Sequence, residues 1–396
     1  MEVGLRWPPE TFLRRKLEGL AADGMAVTVA SRGGPRRRRE PLAGVRLVRL
    51  PAASDNRLVV LTGVLWAGLR LLVSKPGRLL AVLRAPGGVA TDAITVLATR
   101  PDILHFEWES AAVRSLPLIE ACGCPVVMSV RGSGVNVHPH AGRAKLAAAY
   151  PSVFARAAAV HCVSEAIVEE AARHGLERYK ARVIHPAVDT DYFRPPPPAD
   201  PAPEGLRIIG IGRLTWVKGY DYALEAVASL ARSGIRVTYE IVGGEPTRDT
   251  GEASDRSRLR YLIHELGLEG RVKLLGDVRP EVVRERLWAS DVLLQASLSE
   301  GLPNTVLEAM ACGLPVVVTD CGGLREAVDH GVEGLVCPPR SPQDLGDALG
   351  SLCDRDLARR MGEAGRSRVC AEFTLERQIE SLRRLYDDVT AVSRVP

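Results

Sequence analysis

Two short stretches in the second half of the sequence carry residue types suited to an anionic, sugar-bearing ligand. In Gly212-Arg213-Leu214-Thr215-Trp216-Val217-Lys218-Gly219, two cations follow the apolar run Arg207–Ile211. A strand that ends in glycine and releases Arg and Lys before the next helix fits phosphate oxygens: Gly212 admits a close approach and the cations neutralise charge. The other stretch is Ser299-Glu300-Gly301-Leu302-Pro303-Asn304-Thr305-Val306-Leu307-Glu308-Ala309-Met310. Pro303 and Asn304 are helix-start residues, so backbone N–H groups there point at a ligand. Asn304 and Glu308 share one helical face, and Glu300 reaches the same space from before the helix. The N–H groups suit a diphosphate and the two carboxylates suit sugar hydroxyls. Taken singly, either glutamate also suits the helix dipole, and the Arg–Lys loop also suits an ordinary strand-to-helix connection.

Other chemistry is weaker. Asp189-Thr190-Asp191 has the spacing of a metal-binding acidic pair but lies just before a proline-rich segment. Gly210-Ile211-Gly212 begins like a dinucleotide fingerprint, yet Thr215 stands at the third glycine position, which argues against a dehydrogenase. The eight cysteines (122, 124, 162, 312, 321, 337, 353 and 370) show no paired metal-type spacing and read as reduced thiols, mostly in apolar runs.

The elements that must position these residues alternate between strand and helix. Strands are expected at Met25–Ser31, Asp102–Phe106 and Pro125–Val130, with a helix at Thr11–Ala22 stopped by Gly24. Arg194–Gly205 holds six prolines in twelve residues and reads as a stiff linker. Beyond it, strands are expected at Leu206–Ile211, Arg236–Val242, Arg271–Leu275, Val292–Gln295 and Pro315–Thr319, and an amphipathic helix at Thr374–Ala391. The fold class is therefore α/β: two doubly wound Rossmann-like domains facing a central cleft, with ligands at the carboxyl ends of the strands. The expected division is 1–194 for the first domain, 195–205 for the linker, 206–373 for the second domain and 374–396 for the terminal helix.

With 396 residues, 46% hydrophobic and 25% charged, the chain has material for two cores, which excludes a disordered or fibrous protein. The net charge of +4 is uneven: residues 1–195 hold 27 Lys+Arg against 17 Asp+Glu, and the rest 25 against 31. A basic first half suits an anionic partner. Neither a secretory leader nor a membrane span is expected. Leu58–Val73 is short and contains Arg70, so it reads as a packed helix and the chain as cytoplasmic.

Together, the two stretches resemble the glycosyltransferase family 4 pattern, a G-R-L-x-x-x-K-G loop and an E-x7-E motif. The resemblance extends in order through His161-Cys162-Val163-Ser164-Glu165, Val188-Asp189-Thr190-Asp191-Tyr192-Phe193-Arg194-Pro195, Val242-Gly243-Gly244 and Gly322-Gly323-Leu324-Arg325-Glu326-Ala327-Val328. It implies a GT-B fold and a retaining, metal-independent hexosyltransferase using a nucleotide sugar (UDP-, GDP-, ADP- or dTDP-linked) as co-substrate, in polysaccharide, glycolipid or natural-product assembly. No other cofactor and no nucleic acid are implied. By the same resemblance, Arg213 and Lys218 hold the departing diphosphate, Glu308 binds the ribose and Glu300 contacts the transferred sugar. The catalytic set is Glu300, Arg213 and Lys218. Gly212, Gly244, Gly301, Leu302, Pro303, Asn304 and Thr305 complete the donor cradle, and Leu275–Val278 borders the base. The terminal helix is expected to pack back on the first domain, and closure about 195–205 to exclude water from the donor. The first strand is short, and paired glycines are absent there. A sugar-nucleotide epimerase or hydrolase, or a non-catalytic sugar-nucleotide-binding subunit, are the alternatives.

On the acceptor side, which is expected to take a glycan, glycolipid or small molecule, two strand ends stand out. His105-Phe106-Glu107-Trp108-Glu109 follows a strand and sets an aromatic between carboxylates, with His105, Glu107 and Trp108 the candidates, a sugar platform or else a packed strand end. Arg131, followed by Gly132, stands where relatives often place a histidine. Arg36–Arg39 and Leu58–Leu80, with Arg57, Arg70, Lys75 and Arg78, are expected to touch anionic lipid at the inner membrane face.

Overall fold

The structure is a computed structural model, and it describes residues 1–5, 7, 9–32, 42–51, 65, 68–69, 82, 87–197, 204–245 and 255–393. The expected lipid-facing residues 36–39, 57, 70, 75 and 78 and the linker core 198–203 lie outside the described residues. The chain divides into two compact units, Met1–His185 with Leu375–Pro396, and Pro186–Thr374.

Among the described residues, the first unit is built on seven parallel strands: β1 (Glu2–Val3), β2 (Thr28–Arg32), β3 (Arg46–Leu50), β4 (Leu104–Phe106), β5 (Val126–Val130), β6 (Ala159–Cys162) and β7 (Ala181–Val183). Their order is β3-β2-β1-β4-β5-β6-β7, so the winding reverses between β1 and β4. All five residues of β5 are buried, as the run VVMSV requires of a central strand covered on both faces. The two-residue β1 still pairs with β2 through Val3–Ala30 and with β4 through Glu2–His105.

The helix Thr11–Ala22 covers one face of this sheet, burying Leu13, Leu17 and Leu20 together with Lys16. The C-terminal helix Leu375–Ser393 returns to the same unit. There Ile379, Leu382, Leu385, Tyr386 and Val389 pack with Leu20, Val127, Ala159 and Ile184. Each such aliphatic side chain contributes about 1.5–3 kcal/mol by leaving water. Gly19 lets the two helices meet: a Cβ there would sit 3.0 Å from Ile379.

The second unit has six parallel strands: β8 (Leu206–Ile211), β9 (Val237–Val242), β10 (Val272–Gly276), β11 (Val292–Gln295), β12 (Val316–Thr319) and β13 (Gly334–Cys337). Their order, β10-β9-β8-β11-β12-β13, reverses between β8 and β11. Alternate residues feed separate cores, Ile208, Tyr239, Leu294 and Val317 on one face and Ile209, Val242, Leu293 and Val318 on the other.

The boundary differs from the expected one. Residues 186–194 belong to the second unit, because Val188 and Phe193 are buried in its core and Val188 N–H donates to Phe373 O at 2.9 Å. Arg366 Nη1 then ties the segment down through the carbonyls of Thr190 (3.0 Å), Phe193 (2.9 Å) and Ala311 (2.9 Å). Asp189 serves this turn, its Oδ1 accepting from the N–H groups of Asp191 and Tyr192 at 3.2 and 2.9 Å.

Candidate functional site

At the β8–β11 reversal the two motif stretches come together. Gly212 follows directly on β8, and its carbonyl accepts from Tyr220 Oη at 2.8 Å. Gly243 (φ +143°) passes so close that a Cβ would collide with that carbonyl. Leu214 and Val217 are buried and pin the loop, leaving Arg213 and Trp216 exposed. A tight turn, Trp216–Lys218, ends at Gly219 (φ +62°), whose left-handed backbone lies against the Ala296 carbonyl. Leu298 N–H donates to Val217 O at 2.7 Å, stitching the loop after β11 to the loop after β8.

This stitching places Lys218 Nζ 2.6 Å from Glu300 Oε1. The same oxygen accepts from Ser297 Oγ (2.6 Å) and Gln295 Nε2 (2.9 Å). Thr319 Oγ1 in turn donates to Ser297 O at 2.5 Å. The Glu300 carboxylate is thus fixed by groups from β11 and β12. Gly322 (φ +57°) passes under the Glu300 carbonyl, and Gly323 N–H donates to Gly301 O at 2.6 Å. The sequence reading missed Gln295, Ser297 and Thr319, since polar residues at strand ends carry no distinctive spacing.

The helix Asn304–Ala311 starts immediately beyond, with Pro303 at its cap position and no side-chain cap. Its first N–H groups are therefore open to an anion. Thr305 Oγ1 is buried there without a hydrogen-bond partner among the described residues. Leu302 is buried, while Pro303, Asn304 and Glu308 are half-exposed, Glu308 one turn along from Asn304. Leu275 and Val278 lean on the core beside β10, and Gly244 lies where a Cβ would strike the Asp277 carboxylate.

The strand ends of the first unit correct an expectation. His105 and Glu107 are 2% and 0% exposed, so neither offers a surface to an acceptor. Glu107 binds the Lys16 ammonium and the Arg131 guanidinium, and Lys16 Nζ also donates to Glu2 Oε1 at 2.9 Å. Arg131, with 12% of its side chain exposed, stacks 5.1 Å from the Phe12 ring and 5.9 Å from the half-buried Trp108. Gly132 (φ +136°) turns the chain just after it. Glu107 thus holds Arg131 and Lys16 together.

Beneath these charges runs a chain of neutral hydrogen bonds whose protons are set by one carbonyl. His161 Nε2 faces Ile184 O at 2.8 Å, so it carries the proton, and Nδ1 accepts from Ser129 Oγ at 2.8 Å. Ser129 accepts from His105 Nε2 at 2.8 Å, leaving His105 Nδ1 to accept from Tyr386 Oη at 2.7 Å. Burial holds both imidazoles neutral, lowering His161 to about 3 and His105 well below its usual value. Burial raises Glu2 to about 7 against the pull of Lys16, and raises Glu109 to about 7. Burial opposes ionisation of Glu107 too, but Arg131 and Lys16 overcome it and hold its carboxyl well below the usual range. Among the described residues, two clusters could offer three metal ligands, His140-Glu170-His174 and Glu2-His105-Glu107; in the second, the Lys16 ammonium supplies the positive charge.

Two doubly wound parallel sheets, one carrying a Lys–Glu pair beside an uncapped helix at its strand reversal, define a GT-B glycosyltransferase fold. The family description "Glycosyl transferases group 1" matches residues 199–368, and "Glycosyl transferase 4-like domain" matches residues 9–187. The chain belongs to these group 1, family 4-like glycosyltransferases. A D-inositol 3-phosphate glycosyltransferase of Corynebacterium jeikeium is 36% identical over 222 residues, 52% of each chain. A GDP-mannose-dependent alpha-(1-6)-phosphatidylinositol monomannoside mannosyltransferase of Mycobacterium tuberculosis is 34% identical over 205 residues, 48% of this chain and 51% of that protein. The chain thus spans about half the length of the curated relatives it matches. Among solved structures, sucrose-phosphate synthase from Thermosynechococcus elongatus superposes with a TM-score of 0.78 at 22% identity, covering 99% of this chain and 96% of that one. Anabaena HepE in complex with UDP and glucose gives 0.73 at 17% identity, covering 98% of each. No helix among the described residues is long and apolar enough to cross a membrane.

Proposed function

We propose that this chain is a retaining, metal-independent glycosyltransferase that moves a sugar from a nucleoside-diphosphate donor to a hydroxyl of a glycan, lipid-linked or small-molecule acceptor. The observation that carries the reading is the Lys218–Glu300 pair, 2.6 Å apart, at the mouth of the uncapped helix Asn304–Ala311. One member suits the diphosphate and the other the sugar, so the pair marks where the scissile C1–O bond would lie. Arg213, Lys218 and the helix N–H groups would take up the charge that develops on the leaving diphosphate, the role a divalent cation has in other transferases. Glu300, immobilised by Gln295 and Ser297, would grip a sugar hydroxyl, and Glu308 the ribose. Leu275–Val278 would border the base.

The acceptor hydroxyl oxygen attacks C1 from the face the diphosphate leaves. The C1–O bond to phosphate breaks, the new C1–O bond forms, and the departing phosphate oxygen takes the acceptor proton. Configuration at C1 is kept without a covalent enzyme intermediate. The relatives named for inositol phosphate and phosphatidylinositol substrates favour a polyol or lipid-linked acceptor.

Calorimetry with UDP, GDP, ADP and dTDP in the presence of EDTA tests the site. One nucleotide should bind, and Lys218→Ala should weaken it at least about tenfold, since a charge-assisted contact contributes ~1.5–3 kcal/mol. Binding that requires a metal ion, or that ignores Lys218, would sink the reading. Donor turnover without acceptor would convert it to a hydrolase or epimerase.

A further inference from the structure

The rim of the donor site carries a carboxylate that the scheme above leaves unused. Gly276 (φ +74°) turns the chain sharply as β10 ends, and its carbonyl accepts from Gly243 N–H at 2.9 Å. This turn brings Asp277 back over β9, onto the bare Gly244 backbone, where a Cβ would collide with the carboxylate. The Gly244 carbonyl in turn accepts from Leu214 N–H at 2.9 Å, inside the Arg213–Lys218 loop. Asp277 therefore stands one backbone hydrogen bond beyond Gly244 from the phosphate-binding loop, on the side toward the sheet edge, in the same short segment as Leu275 and Val278, which pack on the core. The carboxylate is exposed and makes no hydrogen bond or ion pair among the described residues.

We propose that Asp277 reads the donor base and selects guanine, so that the donor is a GDP-sugar. This rests on the donor site proposed above. An ionised carboxylate only accepts hydrogen bonds, and it has two oxygens side by side. Guanine alone among the four bases presents two adjacent donors, N1–H and the exocyclic N2–H. Uracil and thymine flank their single N3–H with two carbonyl oxygens, which a carboxylate repels. Adenine places the acceptor N1 beside its amine, so at most one contact forms. Leu275 and Val278 supply apolar surface for the purine's flat face, while Gly244, lacking a Cβ, leaves the carboxylate room to lie in the base plane.

The test is calorimetry at fixed salt with GDP, IDP, UDP, ADP and dTDP, on wild type, Asp277→Ala and Asp277→Asn. Wild type should bind GDP at least about tenfold more tightly than the others, because a charge-assisted pair is lost with each wrong base. IDP keeps N1–H but lacks the exocyclic amine, so it should fall between GDP and UDP. Asp277→Ala and Asp277→Asn should weaken GDP about tenfold or more, relieve the repulsion so that UDP binds no worse than to wild type, and weaken ADP less than GDP. Lys218→Ala should weaken every diphosphate alike. A preference for UDP, ADP or dTDP in wild type, or GDP binding indifferent to Asp277, overturns the assignment of guanine while leaving the donor site standing. Binding of no nucleotide overturns both.

Discussion

Replacing Lys16 by methionine removes one cation from a buried set of four charges. Glu2, Lys16 and Glu107 are 4%, 2% and 0% exposed, and Arg131 completes the set. Two carboxylates then face a single guanidinium. Glu2, already raised to about 7 by burial, takes up a proton, so the variant loses two charge-assisted contacts rather than stranding a full charge. Contacts of that kind contribute ~1.5–3 kcal/mol each. Breaking a buried pair costs about 3–5 kcal/mol. The two routes overlap and bracket a loss of about 3–6 kcal/mol, a large part of the ~5–15 kcal/mol that holds a domain folded. Because the chain has two units, the loss should be read locally, by hydrogen exchange in increasing urea. Peptides over β4 and β5 report the first unit, and those over β8 and β11 serve as internal control. Protection should drop in the first set alone. The deficit should also be larger at pH 8 than at pH 6, since protonating Glu2 costs more as pH rises. A loss below about 1 kcal/mol, or one shared equally by both units, would refute the reasoning.

Tyr386→Phe removes the hydroxyl that donates to the buried His105 Nδ1, which keeps Glu2 Oε1 3.3 Å away, and should cost ~1–3 kcal/mol, seen as earlier urea release of the C-terminal helix in the same exchange experiment. Glu109, raised to about 7 by burial, is protonated in the folded chain while ionised in the unfolded chain between pH 4.5 and about 7, so its contribution falls as pH rises through that window. The two buried histidines act in the opposite sense below pH 6.5, being neutral when folded and protonated when unfolded. Comparison with Glu109→Gln isolates the glutamate: the variant should gain about 3 kcal/mol on wild type from pH 4.5 to pH 7.5. A constant difference between the two proteins across that range would contradict the burial argument.

The strands that form cores were legible because they are continuous apolar runs. Val292–Gln295 and Leu206–Ile211 fall where composition puts them. The edges of the first sheet were not: β3 (RLVRL) and β7 (ARV) are partly solvated and charged, and their pattern does not separate from a loop. Lys218 and Glu300 were found through glycine, proline and charge, residue types whose backbone or electrostatic needs show in sequence. Ser297 and Thr319 were invisible because their role depends on β11 and β12 lying side by side. His105 and Glu107 misled for the same reason. A polar residue after a strand looks solvent-facing until its partners are known, and here the partners come from the helix of Lys16 and from Tyr386, 281 residues further along. The unit boundary was misplaced because prolines mark stiffness, whereas membership is decided by where Val188 and Phe193 bury their side chains.

The return of Leu375–Ser393 to the first unit has a consequence for biosynthesis. The first domain is discontinuous in the chain, with the whole of the second inserted between His185 and Leu375. On the ribosome, residues 1–185 emerge with the part of their sheet around Val127 and Ala159 still without the C-terminal helix and His105 still lacking its tyrosine. The inserted domain completes its own sheet next. Only when the last helix has been made can the domain begun first be finished, so the order of maturation is the reverse of the order of synthesis.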